Sequence, residues 1–133
     1  FLFFDFLSTI YKSFDYYQAL THPFAKAVYM MFVISEVHPF LDGNGRLARV
    51  MMNAELSSAA QSKIIIPTVY REDYLGGLRR LSRHQDADVY IRMLSRAQTF
   101  SHTLLGNDMS AMESVLQQSN AFAESNQGVL RIK

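Results

Sequence analysis

The chain has 133 residues, with 13 lysines and arginines against 12 aspartates and glutamates, and a formal net charge of +1. This length fits one domain whose core needs no covalent staples, and the near balance of charge argues against bulk nucleic acid or an anionic membrane as partner. There is no cysteine, which excludes disulfides and thiol chemistry and is compatible with a reducing cytosol. The first residues, Phe1-Leu-Phe-Phe-Asp5, lack a basic leader and are soon interrupted by charges, so neither a signal peptide nor a membrane span is expected.

The N-terminal half predicts three helices. Apolar residues recur at helical spacing from Phe3 to Tyr17, which indicates a first amphipathic helix. A second helix is expected to start with Thr21 as its cap and to run to Val37, and it is apolar on nearly every side, as a central helix requires. We expect a third helix to begin at Gly45. Its predicted core face consists of Leu47, Val50, Met51 and Ala54.

The middle of the chain predicts a connector followed by two helices. Residues 63–68 form a short β-like run stopped by Pro67, which favours an extended connector over a sheet strand. Helices are expected over residues 69–82 and 88–105. The Gly76-Gly77 pair weakens the first of them and indicates a kink.

A last helix is predicted from Ser110, because residues 110–113 have the form of a capping box. We expect this helix to carry Met112, Val115, Leu116 and Phe122 on one face. The tail, residues 125–133, has little local signal. Together these elements predict an all-α chain.

The residues with the clearest chemistry lie in the stretch 38–49, His-Pro-Phe-Leu-Asp-Gly-Asn-Gly-Arg-Leu-Ala-Arg. Glycine tolerates sharp turns, so Gly43-Asn44-Gly45 can bring backbone N–H groups to an oxyanion. The helix that follows aims its free N–H groups at the same point. Asp42 is an oxygen ligand that suits Mg²⁺ when substrate phosphates complete the coordination. Histidine is the usual proton acceptor of proteins at physiological pH, and His38 is the only histidine in this stretch, which makes it the natural general base.

Cations follow the loop on the third helix. Arg46 and Arg49 are three residues apart, so they share a face and can both reach outer phosphates with forked donors. Asn53 continues that stripe and is expected to line the nucleotide pocket one turn further in. His22 is also followed by Pro-Phe, but no glycine, acid or arginine pair comes after it, so no phosphate site is expected there. The remaining arginines are interleaved with acids, which indicates a solvated helix face.

Residues 38–49 resemble the signature of the Fic family, His-Pro-Phe-x-(Asp or Glu)-Gly-Asn-Gly-Arg-x-x-Arg, at all nine specified positions. The resemblance implies an all-α, Fic-type helical bundle around a central helix–loop–helix that carries the motif. It also implies transfer of AMP from ATP to a Tyr, Thr or Ser hydroxyl of a target protein, with release of pyrophosphate. We expect a Fic core over residues 1–108 and a C-terminal helix and tail over residues 109–133. The flap that holds the target would fall before Phe1.

The resemblance also implies residue roles. His38 would deprotonate the attacking hydroxyl, and Asp42 would hold Mg²⁺ across the α- and β-phosphates. Phe40 would pack into the core and anchor the loop. A relative that phosphorylates its target has lysine at the position of Gly45, so this glycine argues against a kinase. Gly43, Asn44 and Gly45 would form the anion hole. Arg46 and Arg49 would hold the β- and γ-phosphates.

Two other functions stay open: removal of AMP from a modified protein, and a catalytically idle domain that binds nucleotide or a partner. Besides a target protein, the family implies an inhibitory helix or an antitoxin-like partner. Glu124 is a candidate inhibitory glutamate, although neither of its flanking residues fits the inhibitory pattern. A homo-oligomer is compatible with the sequence, whereas nucleic acid and membrane partners are not expected. We expect a cytoplasmic location, in a bacterial cytosol, with secretion as an effector as the alternative.

Overall fold

The computed structural model describes residues 3–104 and 106–132, with side chains described from residue 7 onward. These residues contain six α-helices, one 3-10 turn and no β-strand, so the predicted all-α fold is confirmed. No described helix is both long and apolar enough to cross a membrane. The chain divides into two compact units, residues 1–61 and 62–133, and the predicted boundary at residue 108 stays a prediction. The helices are α1 (Phe3–Ala19), α2 (Pro23–Val37), α3 (Asn44–Ser58), α4 (Arg71–His84), α5 (Asp88–His102) and α6 (Met109–Gln118).

The centre of the first unit is α2, which packs against both α1 and α3. This confirms its predicted place as the central helix. Pro23 occupies an early helical position, where its fixed φ suits the helix and its missing N–H costs nothing. The N-cap residue is His22 rather than the predicted Thr21, and no side chain caps this helix. The buried side chains of α2 are Ala27, Val28 and Met31.

The face that α3 buries differs from the predicted one. Val50 is 63% exposed and Ala54 is also exposed, while Leu47 and Met51 are only half-buried, so the predicted core face was wrong. Apolar residues occur on more than one side of α3, and its packing against α2 decides which side is buried. The buried residues recur every four positions: Asn44, Ala48, Met52 and Leu56.

Phenol groups tie α1 to the other two helices of this unit. The Tyr17 hydroxyl donates to Glu55 Oε1 on α3 at 2.6 Å, and the Tyr29 hydroxyl of α2 donates to the Ser13 carbonyl at 3.2 Å. The hydrogen bond to Glu55, with further contributions from burial and from the negative charge of that carboxylate, raises the pKa of Tyr17. The Lys26 ammonium lies 4.9 Å from the Tyr17 ring centroid, within the range of a cation–π contact.

The second unit is organised on α5. Residues 62–67 form neither helix nor strand, so the connector predicted over residues 63–68 is confirmed except at Thr68, which begins a 3-10 turn. This connector is held to α5, because Gln98 Nε2 donates to the Ser62 carbonyl at 3.1 Å and Ser101 Oγ accepts from the Ile65 N–H at 2.8 Å. Burial raises the pKa of the Tyr90 phenol, which stays neutral in the core. The buried side chains of α5 are Tyr90, Met93, Leu94, Ala97 and Phe100.

The two helices predicted at residues 69–82 and 88–105 are confirmed as α4 and α5, with different ends. A 3-10 turn, Thr68–Tyr70, precedes α4, and α5 ends at His102. Leu105, the last residue of the predicted helix, lies outside the described residues, as does Lys133 at the end of the tail.

The residue that caps the start of α6 differs from the predicted one. Asp108 is the N-cap, and its carboxylate accepts a hydrogen bond from the Ala111 N–H at 3.1 Å. Ser110 is already inside the helix, so the predicted capping box was wrong. Because α6 ends at Gln118, Phe122 lies beyond the helix that was predicted to carry it and is 58% exposed. Glu124 also lies beyond α6, and therefore belongs to no helix that could fold over the loop.

The tail is fixed to the second unit although its sequence shows little local signal. The Arg131 N–H donates to the Ser119 carbonyl at 3.0 Å, and Asn120 Nδ2 donates to the Val129 carbonyl at 3.1 Å. Leu130, which lies between Val129 and Arg131 in the chain, is buried. Polar contacts to the backbone therefore hold a segment that has no secondary structure of its own.

The glycine pair does not interrupt α4, which continues through Gly76 and Gly77. A Cβ on Gly77 would lie 3.1 Å from Tyr90 Cα and 3.2 Å from the Tyr90 backbone nitrogen. A Cβ on Gly76 would meet no such atom within 4 Å. Gly77 therefore permits the close approach of α4 and α5, whereas Gly76 has no packing role.

We expect Gly76→Ala to raise the free energy of unfolding by about 0.5–1 kcal/mol, because alanine replaces glycine inside a helix. Gly77→Ala adds the same methyl group but should lower stability, since overpacking against a backbone costs about 1–3 kcal/mol. Denaturant unfolding of the parent and both variants measures the two differences. Equal effects in the two variants would contradict the close packing at Gly77.

Candidate active site

His38 ends α2 in a left-handed conformation, with φ 51° and ψ 58°. Its N–H still donates to the Ile34 carbonyl at 3.0 Å, which closes the last turn, and Pro39 follows and cannot continue the helix. A residue with a Cβ pays about 1–2 kcal/mol for this conformation. The His38 side chain is exposed, and no described group forms a hydrogen bond or ion pair with its imidazole. An imidazole is thus held at a sharp turn with its nitrogens open to solvent.

The loop after His38 is closed by the amide of Asn44. Its Oδ1 accepts from the Phe40 N–H at 2.9 Å, and its Nδ2 donates to the Phe40 carbonyl at 2.6 Å. Asn44 is only 4% exposed, so this pair of bonds is shielded from water. The Asn44 side chain is therefore committed to the loop, whereas its backbone N–H lies in the first turn of α3 and has no intrahelical acceptor.

Phe40 anchors the loop in a different way from the one predicted. Its side chain is 58% exposed, so the expectation that the ring packs into the core was wrong. The Phe40 backbone is the part that Asn44 grips. The i to i+4 spacing of these two residues was the available signal, because asparagine often bonds to nearby backbone groups in turns.

The N terminus of α3 is open. Gly43 is the N-cap residue at φ 83°, a conformation that favours glycine, and it carries no side chain that could cap the helix. No acidic residue lies in the first turn of α3. The first N–H groups of a helix have no intrahelical acceptor, and the helix dipole adds positive potential there. An oxyanion is the natural ligand for such an end.

Gly45 lies in the first turn of α3, and packing does not explain it. A Cβ at this position would meet Arg49 Nη1 at 3.5 Å, an ordinary van der Waals distance. Glycine inside a helix nevertheless costs about 0.5–1 kcal/mol relative to alanine. What its missing Cβ provides is a bare stretch of backbone beside the open helix end.

Both arginines fold back over this loop. Arg46 Nη2 lies 3.9 Å from the Cβ position of Gly43, and Arg49 Nη1 approaches Gly45 as described. Arg46 Nη2 is also 3.6 Å from Asp42 Oδ2, with both side chains mostly exposed. An exposed pair of this kind contributes little to stability, so both partners can exchange each other for a phosphate or a cation.

The remaining predicted site residues are less directly engaged. Asn53 lies one turn beyond Arg49 on α3, is half-buried, and already has an interaction within the chain. The described residues contain no group of three or more histidine, aspartate or glutamate side chains that could hold a metal. A cation at Asp42 would therefore need phosphate oxygens and waters as its other ligands, which is the way Mg²⁺ is commonly bound.

Several curated proteins are similar to part of this chain. A protein adenylyltransferase Fic of Nematostella vectensis is 38% identical over 77 residues, which are 58% of this chain and 18% of that protein. The protein of the same name in Drosophila persimilis is 35% identical over 74 residues, covering 56% and 14% of the two chains. The protein of that name in Drosophila willistoni is 33% identical over 79 residues, which are 59% of this chain and 16% of that protein.

The chain thus spans less than a fifth of the length of these curated relatives. No solved structure gives a significant match. The model of the Fic/DOC family matches residues 4–56, which hold nearly all of α1, the whole of α2 and the loop, and most of α3. Over these residues the chain is similar to the Fic/DOC family.

Proposed function

We propose that this chain carries the catalytic loop of a protein adenylyltransferase, which transfers AMP from ATP to a hydroxyl side chain of a target protein. The observation that carries the proposal is the open N terminus of α3, with Gly43 as a cap without a side chain, next to the exposed base His38. The relatives named protein adenylyltransferase support the same reaction. The acceptor hydroxyl belongs to a Tyr, Thr or Ser, as the family resemblance implies.

The loop would bind the triphosphate as an anion. The backbone N–H groups of residues 44–46 face the phosphates at the α3 end, where the helix dipole also favours negative charge. Arg46 and Arg49 take the outer phosphates with forked guanidinium donors. Gly45 lets the phosphates approach the backbone, since no Cβ stands between them. Asn44 keeps this arrangement in place through its bonds to Phe40.

His38 would act on the nucleophile. Its imidazole accepts the proton of the target hydroxyl while that oxygen attacks the α-phosphorus, and the bond from the α-phosphorus to the bridging oxygen of the β-phosphate breaks. Pyrophosphate leaves with the electron pair of that bond. Arg46 and Arg49 stabilise its charge, and the exposed His38 then releases its proton to water.

Asp42 fits as a ligand of Mg²⁺, because it is an exposed carboxylate whose only described ion pair is the weak one with Arg46. Bound Mg²⁺ would neutralise phosphate charge during the transfer. The partners implied by the resemblance, an inhibitory helix, an antitoxin-like protein or a second copy, stay predictions, as does the cytosolic location.

A labelling experiment separates the possible activities. The full chain is incubated with a target lysate and ATP labelled at either the α- or the γ-phosphate. AMP transfer labels protein from α-labelled ATP only, whereas a kinase labels it from γ-labelled ATP only. An enzyme that removes AMP instead releases label from protein that was modified beforehand, and an idle domain binds ATP without either result.

We expect His38→Ala to reduce the rate of AMP transfer at least about 100-fold, because proton transfer by a positioned base contributes about 10²–10⁴-fold. The affinity for ATP should be nearly unchanged, since the phosphate-binding groups remain. His22→Ala is the matched control, because His22 is also exposed and also precedes Pro-Phe. Near-normal transfer by His38→Ala would exclude the general-base role.

Gly45→Ala should separate stability from function. We expect the free energy of unfolding to stay equal or rise slightly, since the added Cβ meets only the end of Arg49. The affinity for ATP should fall at least about 10-fold, because the methyl group stands where the phosphates approach the backbone. Isothermal titration with ATP and thermal unfolding measure the two quantities, with Gly76→Ala as the glycine control. Unchanged ATP affinity would contradict the proposed phosphate position.

Asp42→Ala should raise the Mg²⁺ concentration needed for half-maximal ATP binding and transfer at least about 10-fold, and a chelator should silence the parent protein. Asp88→Ala is the control, because it breaks an exposed i,i+4 ion pair with Arg92 that is similar to the Asp42–Arg46 pair and belongs to the second unit. The two titrations are run on the same preparations. Equal Mg²⁺ dependence in both variants would show that Asp42 is no metal ligand.

A further inference from the structure

A cavity of about 250 Å³ lies in the first unit, bordered by α1, α2 and the start of the loop. Two of its lining residues, Val37 and Pro39, are the chain neighbours of His38. The cavity, called here the α1–α2 cavity, therefore reaches the turn that carries His38, although the His38 side chain does not line it. Its apolar lining comes mainly from Ile10, Phe14, Met30, Val33, Val37 and Pro39.

The hydroxyl groups that border the α1–α2 cavity have committed their protons elsewhere. Ser13 Oγ donates to the Thr9 carbonyl at 2.7 Å. Tyr17 donates to Glu55 at 2.6 Å, and Tyr29 donates to the Ser13 carbonyl at 3.2 Å. No hydroxyl proton of the lining is left for a ligand. A ligand group that accepts hydrogen bonds would find no hydroxyl donor here, and most of the lining is apolar, so the cavity suits hydrocarbon.

The size of the cavity indicates what kind of group fits. An engineered apolar cavity of about 150 Å³ holds benzene, so 250 Å³ accepts one aromatic or branched aliphatic side chain. An adenine ring is a poorer match, because its ring nitrogens need hydrogen-bond donors and the lining hydroxyls offer none. A whole helix or strand is too large.

We infer that the α1–α2 cavity is a specificity pocket for the target protein, and that it takes one large apolar side chain close to the acceptor hydroxyl. The inference rests on the proposed function, since it is His38 that brings the acceptor to this place. An extended chain advances about 3.3–3.6 Å per residue. The recognised side chain therefore lies within a few residues of the modified one.

The test uses alanine-based peptides that contain a single acceptor tyrosine. Each peptide also has one phenylalanine, at one of the three positions before or the three positions after the tyrosine. Transfer from α-labelled ATP gives kcat/KM for each peptide. We expect phenylalanine at one position to raise kcat/KM of the parent protein at least about 10-fold over the all-alanine peptide, as burial of a large apolar side chain predicts. Aspartate or lysine at the same position should give no gain.

Filling the cavity should remove this preference. Val33→Phe adds bulk from α2, and Ile10→Trp does so from α1, so a folding defect in one variant leaves the other for the test. In both, the gain from phenylalanine should fall below about threefold, while the KM for ATP and the rate with the all-alanine peptide stay near parental values. Val129→Phe is the matched control, because Val129 is 73% exposed and lies in the second unit.

Three results would overturn the inference: no peptide preference in the parent protein, a preference that survives in both filled variants, or a raised KM for ATP in those variants with the preference intact. The last result would assign the cavity to the adenine ring. If neither a peptide nor a protein of the target lysate is labelled from α-labelled ATP, the proposed function fails. Binding of the same peptides, carrying a fluorescent tag, then tests whether the α1–α2 cavity binds an apolar side chain. Tighter binding of a phenylalanine peptide that is lost in Val33→Phe and kept in Val129→Phe supports the inference. Equal binding of all peptides rejects it.

Discussion

The pair of hydrogen bonds between the Asn44 amide and the Phe40 backbone is the interaction on which the site depends. It joins the first residue of α3 to the loop that leaves α2, so it sets the position of His38 relative to the open helix end. Hydrogen bonds that are shielded from water are stronger and more costly to break. The buried amide therefore gives a glycine-rich loop, which would otherwise have many conformations, one defined shape.

Around this clamp the chain accepts local costs that serve ligand binding. His38 adopts a left-handed conformation that glycine would adopt more easily, and Gly45 lies in a helix where alanine would be more stable. The N terminus of α3 has no side-chain cap. These three departures occur within eight residues of one another, and all of them leave backbone N–H groups or an imidazole open to a substrate. Strain and missing caps at one place are typical of a functional site.

The first unit separates two kinds of recognition. The loop and the start of α3 present N–H groups and guanidinium groups, which suit phosphate and carry no information about a protein target. The α1–α2 cavity is largely apolar, and Val37 and Pro39, the chain neighbours of His38, line it. If both are used, a common nucleotide and a particular target side chain meet at the same imidazole, with different physical forces selecting each.

The sequence by itself determined where the helices lie, the likeness to the Fic/DOC family and the residues of the loop, because helical periodicity and the motif from His38 to Arg49 are local properties. Tertiary structure decided which face of α3 is buried, since apolar residues occur on several sides and only α2 selects among them. It also decided that Asn44 grips the Phe40 backbone while the Phe40 ring stays exposed. The α1–α2 cavity could not be predicted, because it exists only where side chains of two helices fail to fill the space between them.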